Sequence, residues 1–482
     1  MKVYKSFING EFIANKTGNK FDVINPSTAQ VIYQVEEADD SVIAKAIESS
    51  QKAFRSWSKM PQIERTRILQ KAANLLRDKN DELARSEVLD TGKPLQEAIE
   101  VDIQTGADAI EYFANLAQSV TGVQQQVGED FFYTKREPLG MTLGIGAWNY
   151  PLQIACWKAA PALASGNTMI FKPSEETPLG AIRLAEVFIE AGVPAGVFNV
   201  VQGAAEVGKA LVNAPEIKKV SFTGEVATGK KVMSAAATSL KEVTMELGGK
   251  SPLIIFDDAD IDEAVTAAML GNFYTQGEVC TNCTRVFVHE NIHDKFIEKL
   301  IKRTKENVIA GDTLDMKTNL GALISEKHME LVLGYVQKGK DEGATLLTGG
   351  QRISSLAGYF VEPTVFTDCK DGMTIVKEEI FGPVMSILKF NSEEEVITRA
   401  NNTKLGLAAG VFTNDIRKAH RVIHQIEAGI CWINAYGASP SEMPVGGYKL
   451  SGVGRENGIE ALNHYTQTKS IYVGMAKLEG PF

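Results

Sequence analysis

From residue 142 onward, short apolar runs alternate with segments of helical pattern, and this alternation constrains the fold more than any other feature of the chain. The runs are TLGIGAW, TMIFK, VFNVV, KVSFT and EVTMEL, and the helical segments lie near 151–164, 178–191, 205–213 and 226–237. Strands that are buried on both faces are apolar throughout, and strand–helix–strand units build parallel sheets. The sequence therefore predicts an α/β protein with a parallel sheet.

A second series of the same kind follows Gly248 and Gly249. PLIIF, a helix near 260–274, RVFV and further units continue to about residue 435. A chain of 482 residues also exceeds what one hydrophobic core usually organises. We therefore expect two α/β domains, preceded by amphipathic helices in the N-terminal third, from 39–59 to 95–119.

Charge and cysteine content exclude several classes of protein. The net charge is −10 and the pI about 5.4, so the chain lacks the excess of Lys and Arg that binds nucleic-acid phosphates. Five cysteines in this length cannot form a dense disulfide framework, which favours a reducing compartment. No apolar leader or membrane-length run is present. We expect a cytoplasmic protein that binds neither nucleic acid nor membrane.

Cys280 is the first candidate for a reactive residue. It lies in FYTQGEVCTNCTRVFV, between a glycine-containing turn and an apolar strand. A nucleophilic cysteine needs access and a stabilised thiolate, whereas an inert one is simply buried. Cys280 and Cys283 also form a C-x-x-C pair, which leaves open a reversible disulfide, or half of a zinc site completed by residues such as His420 and His424.

Glu246 and two glycine positions suggest a ligand crevice. Glu246 ends the strand VTMEL, and a carboxylate at the carboxyl end of a parallel strand is either a general base or an ion-pairing residue at a domain boundary. Gly224 and Gly229 open a helix whose N–H groups can receive phosphate. Lys231 stands where a P-loop has Ser or Thr, which disfavours NTP hydrolysis.

Lys172, Ser174 and Glu175 directly follow another strand, in IFKPSEETP. A Lys and a Glu at this place can bond the ribose hydroxyls of a dinucleotide, and the Glu repels a 2′-phosphate. The same residue types also occur in ordinary loops, so this motif alone leaves both interpretations open.

Seven motifs taken in order resemble the aldehyde dehydrogenase superfamily across nearly the whole chain. They are GIGAWNYP, FKPSE, FTGEVATG, MELGGKSP, GEVCTNCTR, KEEIFGPV and PVGGYKLSGVGREN. Within the superfamily the sequence is most similar to the bacterial betaine aldehyde dehydrogenases, notably in SLKEVTMELGGKSPLIIFDDAD and HRVIHQIEAGICWIN.

The resemblance implies three parts: a Rossmann-like NAD(P)-binding domain, an α/β catalytic domain and a small β oligomerisation arm. We assign 1–121 and 142–247 to the first, with 448–465 returning to it. Residues 248–447 form the second, and 122–141 with 466–482 form the arm. A homo-oligomer built as a dimer of dimers is also implied.

The resemblance further implies roles for individual residues. Cys280 is the nucleophile and Glu246 the base that activates the deacylating water. The Asn149 amide and the Cys280 N–H form an oxyanion hole, and Lys158 and Glu456 relay protons. The residues expected to bind NAD or NADP are Gly146, Ala147, Trp148, Lys172, Pro173, Ser174, Glu175, Gly224, Glu225, Val226, Ala227, Thr228, Gly229, Glu379 and Phe381. Potassium is expected near two sets, Val23, Ile24, Asp90 and Glu176, and Leu240, Lys449 and Gly452.

The implied substrate is a small aldehyde, with betaine aldehyde first and other aminoaldehydes as the alternative. Tyr150, Trp157 and Tyr436 offer aromatic faces to a quaternary ammonium, unless they only pack the tunnel. Three positions depart from the usual family pattern. Tyr436 and Ala438 stand where relatives commonly have Trp and Glu, and Glu225 stands in a turn that usually has small residues.

Two other functional classes fit parts of the sequence. A cysteine hydrolase or acyltransferase could use Cys280 and Glu246 without hydride transfer, although such enzymes usually pair Cys with His. The second class is a catalytically silent binding protein on the same scaffold. Such a protein would not need to keep Cys280 and Glu246.

Overall fold

The alternating strands and helices of the two α/β series fold into two large sheets. The computed structural model describes residues 1–478, 480 and 481. The strands in chain order are β1 (Val3–Tyr4), β2 (Ser6–Ile8), β3 (Glu11–Ile13), β4 (Lys20–Asn25), β5 (Gln30–Glu36), β6 (Gln124–Val127), β7 (Asp130–Pro138), β8 (Met141–Ile145), β9 (Thr168–Lys172), β10 (Phe198–Val200), β11 (Ile217–Gly224), β12 (Glu242–Leu247), β13 (Pro252–Ile255), β14 (Arg285–His289), β15 (Thr345–Thr348), β16 (Thr364–Thr367), β17 (Val384–Phe390), β18 (Leu405–Gly406), β19 (Ala408–Phe412), β20 (Ile430–Ile433), β21 (Tyr448–Lys449), β22 (Gly452–Val453) and β23 (Thr466–Val473).

Helices cover both faces of these sheets. The α-helices in chain order are α1 (Asp40–Trp57), α2 (Gln62–Asp78), α3 (Asn80–Thr91), α4 (Leu95–Glu97), α5 (Ile103–Leu116), α6 (Pro151–Ala164), α7 (Leu179–Ala191), α8 (Ala205–Asn213), α9 (Val226–Ala237), α10 (Ile261–Phe273), α11 (His293–Asn307), α12 (Glu326–Asp341), α13 (Thr374–Lys377), α14 (Glu393–Asn401), α15 (Ile416–Ile423) and α16 (Glu460–His464). A π turn, Ala98–Asp102, joins α4 to α5. No helix within the described residues is long and apolar enough to cross a bilayer.

The first sheet has eight strands in the order β22-β12-β11-β8-β9-β10-β2-β3. Strands β8 to β12 are parallel to one another, and β2, β3 and β22 are antiparallel additions at the two edges. The parallel strands are almost wholly buried, as their continuous apolar sequence requires. The α/β fold expected from the sequence is confirmed.

The second sheet has seven strands in the order β15-β16-β17-β14-β13-β19-β20, of which only the edge strand β15 is antiparallel. After the second sheet the chain returns to the first, where β22 pairs with β12 and Gly452 lies opposite Glu246. This return ties the two α/β units together beside the residue expected to act as base.

Three smaller sheets, of two or three strands each, complete the part of the chain that the structure describes. Strands β6, β7 and β23 form a separate sheet in which Thr466 lies opposite Pro138 and Val473 opposite Phe131. The arm segments assigned from the sequence contain these strands, and residues 479 and 482 of that assignment lie outside the described residues. The helices expected in the N-terminal third are present, beginning with α1, but five short strands, β1 to β5, precede them and were not predicted. These strands are two to seven residues long and pair partly with distant segments, so local periodicity does not reveal them.

Candidate active site

Three loops that carry expected cofactor residues, and a fourth that follows Glu246, lie at one edge of the first sheet. Strands β8, β9, β11 and β12 are parallel neighbours, so their carboxyl ends open on the same side. The chain runs outward from β8 to β9 and β10, and then crosses to the other side of β8 with β11 and β12. Open parallel sheets bind ligands at such a reversal, which here lies between β8 and β11.

The N-terminus of α9 is the part of this crevice suited to phosphate. Its first N–H groups have no side-chain cap, and free N–H groups with the helix dipole attract anions. Gly229 lets the helix approach β12, because a Cβ there would lie 2.6 Å from Leu247 Cδ2. Glu225, directly before the helix, is exposed and adds a negative charge at the mouth of the crevice.

Lys172 and Glu175 form a pair at the end of β9. The Lys172 ammonium is buried and donates to the Glu175 carboxylate at 3.1 Å. Burial lowers the pKa of Lys172, and the charge of Glu175 raises it in part. Ser174 between them is buried. An ammonium donor beside a carboxylate acceptor is a suitable arrangement for a ribose diol.

Trp148, His328 and Phe381 form an aromatic cluster at the crevice. The ring centroid of Trp148 lies 5.2 Å from that of Phe381 and 5.6 Å from that of His328, both edge-on. His328 Nε2 lies 2.7 Å from the Phe381 carbonyl oxygen and donates to it, at a residue whose φ is 59°. Trp148 and Phe381 were expected here. His328 was missed, because it comes from α12 and no sequence motif marks it.

The Cys280 loop of the second domain meets the end of β12 from the first. A Cβ on Gly249 would lie 2.7 Å from the Cys280 carbonyl oxygen, so the two backbones are in contact. Burial raises the pKa of the partly buried Cys280 thiol to about 12, as do the charges of Glu379 and Glu246, whereas the N–H groups of Cys280 and Thr281 lower it. Burial and these two charges therefore favour the neutral thiol over the thiolate.

Glu246 combines burial with an unused acceptor. Its side chain is 8% exposed, and its Oε1 has no hydrogen-bond partner among the described residues. Burial raises the pKa of Glu246 well above its ordinary value, and Glu456 raises it further, while Lys158 lowers it. A buried carboxyl with a free oxygen and a raised pKa is a candidate general base.

Lys158 and Glu456, the expected proton-relay pair, are brought together. Lys158 Nζ donates to Glu456 Oε1 and, at 3.0 Å, to Ser221 Oγ, which donates to the same carboxylate at 2.7 Å. All three side chains are almost fully buried. Ser221 was missed, since one hydroxyl within an apolar strand carries no signal of its own.

The Asn149 side chain is fixed against the Cys280 loop. Its Nδ2 donates to the Glu278 carbonyl oxygen at 2.8 Å, and the amide retains a second N–H. The Glu278 carboxyl accepts from Gln276 Nε2 at 2.8 Å and from Ile324 N at 2.9 Å. Burial raises the pKa of Glu278 to about 8. This side of the crevice is therefore held by hydrogen bonds from both domains.

The Glu379 carboxylate, from the second domain, lies at Gly248 and Gly249, directly after β12. Gly249 N–H donates to Glu379 Oε1 at 3.0 Å, and a Cβ on Gly248 would lie 1.8 Å from Glu379 Oε2. Burial raises the pKa of Glu379 to about 7, and the Gly249 N–H and Lys250 lower it in part. Both glycines leave the space that this carboxylate occupies.

The three expected substrate aromatics have different surroundings. Trp157 and Tyr436 pack, with Cys280, against the same apolar cluster of the second domain. Tyr150 has one face already occupied, because Lys93 Nζ lies 3.8 Å from its ring centroid. Trp157 and Tyr436 therefore share an apolar cluster with Cys280, and among the described residues no such cation lies over either ring.

The second cysteine of the C-x-x-C pair lies in the core. Cys283 is fully buried, and burial raises its pKa. Both thiols are free. Because a thiol without solvent access reacts slowly, whereas Cys280 is only partly buried, the structure gives Cys283 a packing role and lends the disulfide hypothesis no support.

Two members of the first expected potassium set, Val23 and Asp90, are linked through Tyr33. Tyr33, opposite Val23, donates to Asp90 at 2.6 Å, and Leu179 N–H donates to the same carboxylate at 3.2 Å. Burial raises the pKa of Asp90 to about 7, and these hydrogen bonds lower it in part. A bulge between Val23 and Ile24 takes backbone groups out of the ladder, and Glu176 precedes Leu179 by three residues.

The second expected potassium set is not assembled within one chain. Gly452 lies opposite Glu246 on β12, whereas Leu240 precedes Glu246 by six residues, toward the opposite end of that strand, and is 93% exposed. Lys449 instead forms an ion pair with Glu427. Among the described residues, no group of three or more acidic, Cys or His side chains could hold a metal ion.

A crevice at a parallel-sheet reversal, facing a thiol and a buried carboxyl from two domains, defines an α/β enzyme of the dehydrogenase type. The family model described as "Aldehyde dehydrogenase family" matches residues 12–471. The chain therefore belongs to the aldehyde dehydrogenase family.

Individual relatives agree with this assignment. A betaine aldehyde dehydrogenase of Vibrio vulnificus is 61% identical, over 100% of both chains. The structure of an aldehyde dehydrogenase from Bacillus cereus in complex with NAD+ is 44% identical, with a TM-score of 0.96, over 98% of this chain and 97% of that one. A betaine aldehyde dehydrogenase from Staphylococcus aureus in complex with NAD+ is 39% identical, with a TM-score of 0.96, over 99% and 96%.

Proposed function

We propose that this protein oxidises betaine aldehyde to glycine betaine, with NAD as the hydride acceptor. The observation that carries the proposal is the contact of the Cys280 loop with the end of β12, where the charge of the buried Glu246 acts on the Cys280 thiol. The full-length similarity to a betaine aldehyde dehydrogenase supports the substrate. A cation is also a favourable ligand for a chain of net charge −10.

The residues of the crevice fit a dinucleotide. The uncapped N–H groups of α9 would hold the pyrophosphate, and Lys172 with Glu175 would hold the adenosine ribose. Glu175 disfavours a 2′-phosphate, and similar structures contain NAD+, so we favour NAD over NADP. When bound, NAD takes up the hydride that the aldehyde carbon gives up.

Cys280 and Asn149 would carry the first half of the reaction. The Cys280 sulfur adds to the aldehyde carbon, and the thiol proton passes to solvent water as the S–C bond forms. The carbonyl oxygen becomes an alkoxide, which the free N–H of the Asn149 amide and the Cys280 backbone N–H would stabilise. Loss of the carbon-bound hydrogen as hydride leaves a thioester on Cys280.

Glu246 would carry the second half. Its unpartnered Oε1 takes a proton from water, the oxygen attacks the thioester carbon, and the S–C bond breaks to release the acid and restore Cys280. Lys158 and Glu456, which act electrostatically on Glu246, would pass that proton onward through their hydrogen bonds with Ser221.

Trp157 and Tyr436 would receive the trimethylammonium group. Both pack on the apolar cluster that Cys280 also contacts, and a cation over a Trp or Tyr ring within about 6 Å is stabilised by about 0.5–2 kcal/mol. Other aminoaldehydes carry a cation at a similar distance from the carbonyl group, and they are the alternative substrates.

Two further expectations remain proposals. Asp90 and the bulge at 23–24 supply oxygen ligands suited to a hard monovalent cation, so we place a potassium ion there, whereas the set around Leu240 would have to be shared between two copies. The exposed edge strand β6 supports assembly through the arm, and we propose a dimer of dimers.

Replacement of Cys280 tests the proposal directly. With betaine aldehyde and NAD, the parent protein should form NADH, detected at 340 nm, and Cys280→Ala should form none above background while binding NAD with unchanged affinity. Cys431→Ala, at another partly buried cysteine, is the matched control and should retain activity. NADH formation by Cys280→Ala, or acid release by the parent without NADH, would contradict the proposal.

A further inference from the structure

We propose that Glu97 and Thr275 position the reacting groups by holding Tyr150 and the Cys280 loop in one arrangement. Neither residue is assigned to the nucleophile, the base, the oxyanion hole or the cofactor site. The inference rests on the proposed function, because it concerns the geometry of attack by Cys280.

The π turn between α4 and α5 directs Glu97 inward. In a π turn the backbone bonds run from residue i to i+5, so Glu97 and Asp102, five residues apart, lie on nearly the same face. Both are almost fully buried, with 3% and 0% exposure. In a regular α-helix the same spacing would turn one of them away from the interior. Single π turns are frequent at functional sites.

The Glu97 carboxylate binds both the backbone and the side chain of Thr275. Its Oε2 accepts from Thr275 N at 2.9 Å and from Thr275 Oγ1 at 3.0 Å. The same Oγ1 lies 2.8 Å from the Tyr150 hydroxyl. A continuous set of hydrogen bonds therefore runs from Glu97 through Thr275 to Tyr150, the neighbour of Asn149.

Thr275 begins the loop, residues 275–280, that ends at Cys280. Thr275 and Gln276 have φ values of 47° and 43°, in the left-handed region that side chains other than Gly rarely adopt. Surrounding contacts must hold such residues in place. Gln276 in turn bonds Glu278, whose carbonyl oxygen accepts from Asn149.

The opposite side of Tyr150 is fixed by a buried cation. Lys93 Nζ lies over its ring and forms an ion pair with Asp102, and neither Lys93 nor Asp102 has any solvent exposure. Tyr150 is thus held at its hydroxyl by Thr275 and at its ring by Lys93. Thr275 is bound by Glu97 and Lys93 by Asp102, the two residues at the ends of the π turn.

The chemical consequence is control of the attack geometry. Asn149, which would bind the alkoxide, and Cys280, which would attack, are both attached to residues that Thr275 holds. Reaction rates fall steeply when reacting atoms are misplaced, and a shift of about 1 Å can cost about 100-fold. Loss of the Thr275 hydroxyl should therefore slow hydride transfer without affecting the cofactor residues, which it does not touch.

A double-mutant cycle on the full-length protein tests this inference. The readouts are the pre-steady-state burst rate of NADH at saturating aldehyde and the Kd for NAD. Thr275→Val, which keeps the shape but removes the hydroxyl, should lower the burst rate about 100-fold, and Tyr150→Phe about tenfold. The double variant should be no slower than Thr275→Val, because both changes break the same set of bonds.

Two controls separate positioning from general damage. Thr275→Ser restores the hydroxyl and should recover most of the burst rate, and Thr266→Val, at an exposed threonine of α10, should have no effect. The Kd for NAD should stay at the parent value throughout. If Thr275→Val does not fold, Tyr150→Phe and Thr275→Ser still carry the test.

Three results would overturn the inference. They are a parent-like burst in Thr275→Val or Tyr150→Phe, additive losses in the double variant, and failure of Thr275→Ser to restore the rate. A parent protein that forms no NADH from betaine aldehyde or another aldehyde would instead contradict the proposed function itself.

Discussion

Glu246 owes its chemical character to its surroundings. Burial is the largest cause of its raised pKa and Glu456 the second. A general base works only when ionised, so the rate of thioester hydrolysis should rise with pH through this raised pKa and fall below it. The acid limb of the pH profile should therefore lie above the range of an ordinary carboxyl.

Removal of the Glu456 charge should shift the acid limb of the pH profile of thioester hydrolysis. Glu456→Gln removes the negative charge that raises the pKa of Glu246 and leaves Lys158, which lowers it, so the limb should move to lower pH. Single-turnover hydrolysis of the thioester across the neutral and alkaline range measures the shift. Glu460→Gln, at an exposed position in the same segment, is the control. A limb that stays in place, or moves to higher pH, would contradict this account.

At the residue scale, motifs identified candidates but not their partners. Cys280 and Glu246 stand out because each ends or precedes a strand in a glycine-rich context. His328, Ser221 and Glu97 could not be found this way, because they act through distant contacts, such as the bond between Glu97 and Thr275, 178 residues apart. Spatial pairing of this kind leaves no periodic or local signal in a single sequence.

At the scale of elements, prediction succeeded where hydrophobic pattern and end signals coincide. The helix expected near 151–164 is α6, Pro151–Ala164, and the one near 226–237 is α9, Val226–Ala237. Strands β1 to β5 were missed because three of them have only two or three residues, too few to show a period. The π turn was also missed: residues 95–119 read as one helix, and an i to i+5 bond depends on the inward contacts of Glu97 and Asp102.

Arg285 offers a test of how elements are joined. From β14, its guanidinium donates to the carbonyl oxygens of Lys250 at 2.8 Å, Arg399 at 3.2 Å and Ala400 at 2.8 Å. Arg399 and Ala400 belong to the last turn of α14, where carbonyl groups lack the regular helical partner, although the Arg399 oxygen also accepts from Asn402 N at 3.2 Å. Arg285 is 3% exposed, so its loss would leave buried acceptors unpaired.

Arg285→Met should therefore destabilise the second domain by about 3 kcal/mol, since each buried unpaired group costs about 1–3 kcal/mol. The measurement is the thermal midpoint by circular dichroism, at fixed protein concentration and without cofactor. Arg417→Met, on the exposed face of α15, should change it little. Equal midpoints for the two variants would show that these three hydrogen bonds contribute no net stability.

At the scale of the whole molecule, function depends on the return of the chain from the second sheet to the first. The sequence predicted both α/β units from their strand–helix alternation. It could not predict that Gly452 would lie opposite Glu246, because register between distant strands is set by packing. That return brings Glu456 to Lys158 and completes the site from three separate parts of the chain.

The central claim is that the sulfur of Cys280 carries the substrate between the two half-reactions. Glu246→Gln, which cannot take the proton from water, should stall at the thioester when given betaine aldehyde and NAD. Peptide mass spectrometry should then find the acyl group on Cys280, with one NADH formed for each modified subunit. NADH formation with the acyl group on another residue, or sustained turnover with no adduct at Cys280, would contradict the account.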